Sequence, residues 1–557
     1  MPTWSEERDV ANGSLDDPSD GGVVAGDVLK VRGWCLFGGS RVARVEVLVD
    51  GRSIGFARPY VERPDLAEEF SDPDAPVAGF ETLISFEGRD RSTESLVTVE
   101  AMSLDGRRWR SPTHRVRWAT SPSEETDRGE VLAKRSTSVL KRLPEESSGV
   151  LIFTHDLSYG GGQLWLFELL RQITVFSGLT CTVVSMTDGP LRGMLEDLGI
   201  AVHVTAAWPM DSLDAYEGRI HELALLIRTS GAGAVLVNTL GVFPGIDAAA
   251  RAGVPSIWAI HESFDPAVYR YICWGPTGVH PYVRSRFNEC FQSARALIFE
   301  AGQTAEIFAH LCSPEQRFIV DYGVDVDGID AYRDSIDRSA LRAEAGFDDD
   351  SVVVAVVGVV EPRKAQAAVV AAFDELARVH ANLRLVLVGT HTSPYNAGVQ
   401  EQLERYESGA RVHLVPIGPD IYPWYSMADL LLCASDIESL PRSILEAMAF
   451  ELPVVSTDAF GIADLIDDGR TGWLTRPRDL EGLVGLLHLV LRISADERRA
   501  VGRRARSEIL RRHGDRSYGR VFARALADLI VDPDCDLTPS LSNPGAEDEQ
   551  EEGVVNW

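Results

Sequence analysis

The spacing of apolar positions along this chain changes period twice. From about Gly22 to Trp118 it is two. In Arg44-Val45-Glu46-Val47-Leu48-Val49 the odd positions are apolar, and Asp50-Gly51 then supplies a hairpin turn into Ser53-Ile54-Gly55-Phe56. A second unit, Leu96-Val97-Thr98-Val99-Glu100, ends in Asp105-Gly106. Short alternating strands with turn signals and no helical stretch predict a β-sandwich over residues 21–118. Residues 1–20, rich in Asp, Ser, Gly and Pro, read as a disordered lead-in. Residues 119–147 are polar and poor in aromatics and read as a linker.

Beyond the linker, short uninterrupted apolar runs alternate with helical stretches. Val150-Leu151-Ile152-Phe153, Cys181-Thr182-Val183-Val184, Ala234-Val235-Leu236-Val237 and Ser256-Ile257-Trp258-Ala259-Ile260 form one series. Val352 to Val357, Leu385 to Val388, Val412 to Val415, Leu430 to Leu432 and Pro453 to Val455 form another. Apolar strands between helices imply parallel sheets covered on both faces. The fold class is therefore α/β, with two doubly wound, Rossmann-like domains at 148–330 and 331–530 and a seam in the Asp- and Arg-rich stretch 325–350. Paired sheets of this kind bind ligands in the crevice between them. Residues 531–557 end in Glu547-Asp548-Glu549-Gln550-Glu551-Glu552 and read as an acidic, disordered tail.

Composition narrows the partners. At 557 residues the chain has room for several cores, and its net charge of −30 repels phosphate backbones, which excludes nucleic acid. Cys35, Cys181, Cys273, Cys290, Cys312, Cys433 and Cys535 are scattered without CxxC spacing, which argues against a disulfide framework and against a zinc site. No apolar run approaches the ~18 residues of a membrane span, and the opening MPTWSEERDV is acidic rather than signal-like, so a soluble, cytoplasmic protein is expected. Of 54 basic residues only Lys30, Lys134, Lys141 and Lys364 are lysine. A lone lysine in the second α/β domain points to a need for its compact ammonium there.

The densest chemical signal is Asp436-Ile437-Glu438-Ser439-Leu440-Pro441-Arg442-Ser443-Ile444-Leu445-Glu446-Ala447-Met448-Ala449. Pro441 is expected just inside a helix start with Ser439 as its N-cap, so that backbone N–H groups and the positive dipole end face an anion. At ~100° per residue, Glu446 would lie roughly 80° around and two turns along from Glu438, both on one cleft wall. The apolar neighbours Ile444, Leu445, Ala447 and Met448 favour a buried, paired Glu446 over a solvated one. Upstream, Gly358-Val359-Val360-Glu361-Pro362-Arg363-Lys364-Ala365-Gln366 follows the first strand of the second domain, where phosphates are expected. Cations are unusual at a helix start unless they serve a ligand. In the first domain, His155-Asp156-Leu157-Ser158-Tyr159-Gly160-Gly161-Gly162-Gln163-Leu164 is a glycine-rich strand-to-helix loop, and His261 sits at a strand's carboxyl end.

Two glutamates separated by seven residues, an EAMA-type helix, the Leu452-Pro453-Val454-Val455 strand and the basic loop together resemble family 4 retaining glycosyltransferases over about residues 149–530. The resemblance implies a GT-B fold in which sugar passes from a nucleotide-sugar donor to a glycan, lipid-linked or other glycoconjugate acceptor in the interdomain cleft, with retained configuration and no metal or other cofactor. It implies that Glu438 contacts donor sugar hydroxyls, Glu446 the ribose, and Lys364 and Arg363 the leaving diphosphate. Gly358, Ser439, Leu440 and Pro441 would line the donor pocket, Gly161 and Gly162 would approach from the opposite wall, and His261 would hydrogen-bond the donor sugar. The sequence departs from the family pattern at Val359, Ala365, Phe299-Glu300-Ala301 and Phe460-Gly461-Ile462-Ala463-Asp464. The β-module resembles immunoglobulin-like modules fused to bacterial surface-sugar enzymes. An inactive glycan-binding scaffold is the rival function, and a phosphorylase fits less well because Lys364 lies in the wrong context for pyridoxal phosphate. Arginines between Arg498 and Arg520 are expected on solvated helix faces paired with Glu497 and Glu508. Acidic lipid at the inner membrane face is their other candidate partner.

Overall fold

A computed structural model describes residues 11–87, 93–119, 149–210, 212–275, 279–513 and 518–541. The expected linker therefore lies outside the described residues almost entirely, as does the tail beyond Leu541.

The N-terminal strands form one pairing path. The strand Arg52–Val61 pairs with Val42–Val49 through its first half and with Gly79–Ser85 through its second, carrying nine strands around a common core. Ala43, Val45, Val47 and Val49 are buried, as the period-two pattern requires. Asp50 and Gly51 turn the hairpin with φ 52° and 76°, the left-handed pair of a tight hairpin turn. The path begins earlier than the sequence indicates. Ala11–Asp17, read as part of a disordered lead-in, pairs antiparallel with Val28–Phe37 and buries Leu15. One buried apolar position was too little to signal that strand.

Both α/β domains have wholly parallel sheets. Across the first run Ala201–Val204, Thr180–Ser185, Gly149–Thr154, Ala232–Asn238, Ser256–Ile260, Ala296–Phe299 and Arg317–Ile319. Across the second run Val412–Pro416, Leu383–Thr390, Val352–Val357, Leu430–Cys433, Val454–Thr457 and Trp473–Thr475. In each, the chain starts in the middle, winds outward and then reverses, which leaves a crevice at the switch between first and fourth strands. The helix Tyr518–Val531, assigned by pattern to the second domain, packs on Gly161–Phe176 of the first. Its apolar stripe finds a partner there, with Tyr518 and Phe522 against Trp165. The following Thr538–Leu541 is a short helix with Leu541 buried, so the expected tail is ordered at its start.

No described helix is long and apolar enough to cross a membrane. Three arginines of the helix Ala495–Arg512 are held by protein partners, while Arg499, Arg503, Arg504 and Arg511 are exposed, and the candidate lipid contact is without support. Arg498 donates to the carbonyls of Val490, Leu491 and Ile493, Arg506 pairs with Asp330, and Arg512 with Asp321. Glu508 pairs with Arg511 as expected, but Glu497 closes a capping box with Ser494 instead of meeting arginine.

Candidate functional site

A cleft of about 570 Å³ opens between the carboxyl ends of the two sheets. Its floor on the second-domain side is the irregular segment between Leu430–Cys433 and the helix Arg442–Ala449. Having no ladder of its own, this segment is shaped by tethers. Thr457 Oγ1 donates to Ser435 O at 2.6 Å, Ser263 Oγ to Glu438 O at 3.1 Å, and Tyr322 Oη to Leu440 O at 2.8 Å. Gly461 closes it from beneath, since a Cβ there would stand 1.8 Å from Ser439 O. Gly461→Ala is therefore expected to displace the segment, measured as faster hydrogen–deuterium exchange of its amides.

The helical geometry expected from spacing is corrected here. The helix begins at Arg442 with Pro441 at the N-cap, and Glu438 precedes it on the irregular segment. Ser439 does not cap the helix; its Oγ lies 3.3 Å from Thr304 Oγ1 of the first domain. The two glutamates still line one cleft, but the chain path, not a helical face, brings them there.

Lys364 Nζ donates to Glu438 Oε1, Ser435 Oγ does so at 2.9 Å, and Arg363 Nη1 lies 3.3 Å from the same oxygen. Burial alone would raise the Glu438 pKa, but the two cations outweigh it and hold the carboxyl below its usual range. Lys364 ends a 3-10 turn, Pro362–Lys364, and Ala365 follows in the left-handed region at φ 56°. A glycine would take that conformation without strain, yet the loop is formed with alanine. Gly358 has φ 146°, a conformation a side-chain-bearing residue rarely adopts, and a Cβ there would lie in van der Waals reach of the Lys364 stem.

Glu446 is 2% exposed, accepting from Tyr425 Oη at 2.9 Å and from Arg442 Nε at 2.7 Å. Burial outweighs both partners and raises its pKa. Arg442 reaches on to Glu168 Oε1 at 2.7 Å, on the first-domain helix Gly161–Phe176, joining the domains at the cleft base. Arg442 and Glu168 went unnoticed in sequence. Only the four-residue spacing of Arg442 and Glu446 hinted at the first, and nothing local marks the second.

On the opposite wall, Gly162 in the first turn of the helix Gly161–Phe176 sits against His261, whose Cδ2 would lie 3.2 Å from any added Cβ. His261 Nδ1 meets Glu300 Oε1 at 2.8 Å and Nε2 meets Asn238 Oδ1 at 2.8 Å. Burial pulls its pKa down, but the Glu300 carboxylate overrides that, and the imidazole keeps its proton to higher pH than usual. Both ring nitrogens thus face protein acceptors. Glu300, a departure from the family pattern in sequence, is the partner that raises the His261 pKa. Gly161, His155 and Tyr159 complete the wall.

Two parallel Rossmann-like sheets facing across such a cleft make this a GT-B fold, preceded by a β-rich module. Residues 337–508 match the family described as glycosyl transferases group 1. D-inositol 3-phosphate glycosyltransferase of Nocardia farcinica is 33% identical over 211 residues, 34% of this chain and 46% of that protein. The match thus spans less than half of that relative. The Mycobacteroides abscessus enzyme of the same description is 26% identical over 431 residues, covering 71% of this chain and 93% of its own. Among solved structures, Anabaena HepE in complex with UDP-glucose superposes with TM-score 0.57 at 19% identity, over 69% of this chain and 98% of that one. A Rickettsia africae glycosyltransferase superposes with TM-score 0.57 at 14% identity, over 71% and 99%. At these identities the superpositions carry the fold alone.

Proposed function

We propose that this chain is a glycosyltransferase that moves a hexosyl group from a nucleotide sugar to a glycan or glycoconjugate acceptor, retaining the anomeric configuration. The observation that carries the proposal is the convergence of Lys364 and Arg363 on Glu438 in the cleft, with Glu446 buried beside them. A diphosphate docked there meets two cations without a metal ion. As the bond from the anomeric carbon to phosphate oxygen breaks, charge builds on that oxygen where fixed cations are most effective. In front-side displacement the acceptor hydroxyl attacks the same face, and its proton passes to the departing phosphate oxygen, so no protein base is needed. Glu438 would turn from Lys364 to the sugar hydroxyls. Each Glu446 oxygen has a further lone pair beyond its bond to Arg442 or Tyr425, enough to accept from ribose hydroxyls.

UDP-glucose is the first donor to try, because the HepE complex holds it in the same fold. Among UDP-, GDP-, ADP- and TDP-sugars, one uridine donor is expected to bind. Glu446→Ala should weaken it by at least about tenfold, roughly 1.4 kcal/mol, by calorimetry. If no nucleotide sugar binds, the glycan-binding scaffold becomes the better account.

A further inference from the structure

The β-module reaches the back of the donor segment. Arg58, on the strand Arg52–Val61, donates through Nε to Asp436 Oδ2, and Asp436 stands two residues before Glu438. The Asp436 side chain is 1% exposed. Arg478 Nε approaches the same oxygen at 3.4 Å, and Asp436 N donates to Arg363 O at 2.8 Å. Asp436 thus ties the module, through its carboxylate, to the loop that carries Arg363 and Lys364, through its backbone N–H.

Two backbone features converge there. Arg58 lies beside a bulge, where register shifts between Pro59 and Val61 and Tyr60 takes φ 63°. Bulges re-aim neighbouring side chains. Arg478 itself holds φ 63°, in a region that a side-chain-bearing residue keeps only when its surroundings fix it, and its Nη1 donates to Phe56 O on the same module strand. The module is also anchored on either side of the cleft. Arg41 pairs with Asp374 and Glu375 of the second domain, and Glu87 takes a two-pronged bond from Arg270 of the first at 2.8 and 2.9 Å.

We infer that the β-module is a brace for the donor site, with Arg58 a positioning residue that sets Glu438 and Arg363 through Asp436. This rests on the glycosyltransferase reading for its consequence, although the brace itself does not. Arg58 touches none of the reacting groups. Its loss should loosen the segment between Cys433 and Arg442 and spread the cations that receive the diphosphate.

Hydrogen–deuterium exchange on the full chain tests the brace without any ligand. In Arg58→Ala, amides of residues 434–440 are expected to exchange about tenfold faster, with those of the strand Gly149–Thr154 unchanged as a control for folding. Asp436→Asn, which leaves the module intact, should reproduce the effect, and Arg58→Lys should recover part of it. With UDP-glucose, Arg58→Ala should raise the donor KM about tenfold while kcat changes less than about threefold. Unchanged exchange at 434–440 in both Arg58→Ala and Asp436→Asn overturns the brace. Wild-type protein that binds no nucleotide sugar overturns the enzymatic reading instead, and the exchange result still decides whether the module holds the loop.

Discussion

Replacing Lys364 by alanine is expected to lower transfer by about 10²–10³-fold while leaving the fold intact, because it removes a fixed charge from the place where negative charge develops. The fold should survive because Glu438 keeps Ser435 at 2.9 Å and Arg363 at 3.3 Å, so no carboxylate is stranded. Lys364→Arg should restore only part of the rate, since a planar guanidinium cannot occupy the position of a compact ammonium beside Gly358. The check is kcat at saturating donor, with thermal unfolding as the control. A rate within threefold of wild type in Lys364→Ala would place the leaving group elsewhere.

Arg442→Ala should be the most damaging change to stability in the cleft. Arg442 lies between Glu446 and Glu168, both largely buried, and its removal leaves two carboxylates facing each other without a cation. Breaking a buried ion pair from one side costs about 3–5 kcal/mol, which lowers the unfolding midpoint by roughly 5–15 °C. The network is not fully satisfied even when intact, since Arg442 Nη1 and Glu168 Oε2 are buried without partners among the described residues. A triple variant, Arg442→Met with Glu446→Gln and Glu168→Gln, should recover much of the stability by removing every charge at once, yet remain inactive for want of Glu446. Differential scanning calorimetry on the three proteins separates these outcomes. If Arg442→Ala unfolds with the wild type, the pair does not join the domains.

The local pattern reached far into this protein. Period two with Asp50-Gly51 located the hairpins, and uninterrupted apolar runs located both parallel sheets, because burial on one face or two leaves a direct mark on consecutive residues. The basic loop was visible because Lys364 stands nearly alone among arginines. Glu446 was expected to be buried from its four apolar neighbours, and it is.

What the sequence misplaced depends on groups far apart in the chain. Eight residues of separation suggested a helical relation between Glu438 and Glu446, but the helix starts only at Arg442. Proline and serine near that start fit a cap by composition, whereas Ser439 is drawn toward Thr304 across the cleft. The raised pKa of His261 depends on Glu300, 39 residues later, and the link from Arg442 to Glu168 spans 274. Sequence alone therefore determined the central strands of both parallel sheets and the module's hairpins, because each follows from neighbouring residues. Only the tertiary structure decided which carboxylate meets which cation, where Tyr518–Val531 docks, and that Arg58 of the β-module holds the donor loop. Those pairings form between distant segments, and nothing local in either segment encodes its partner.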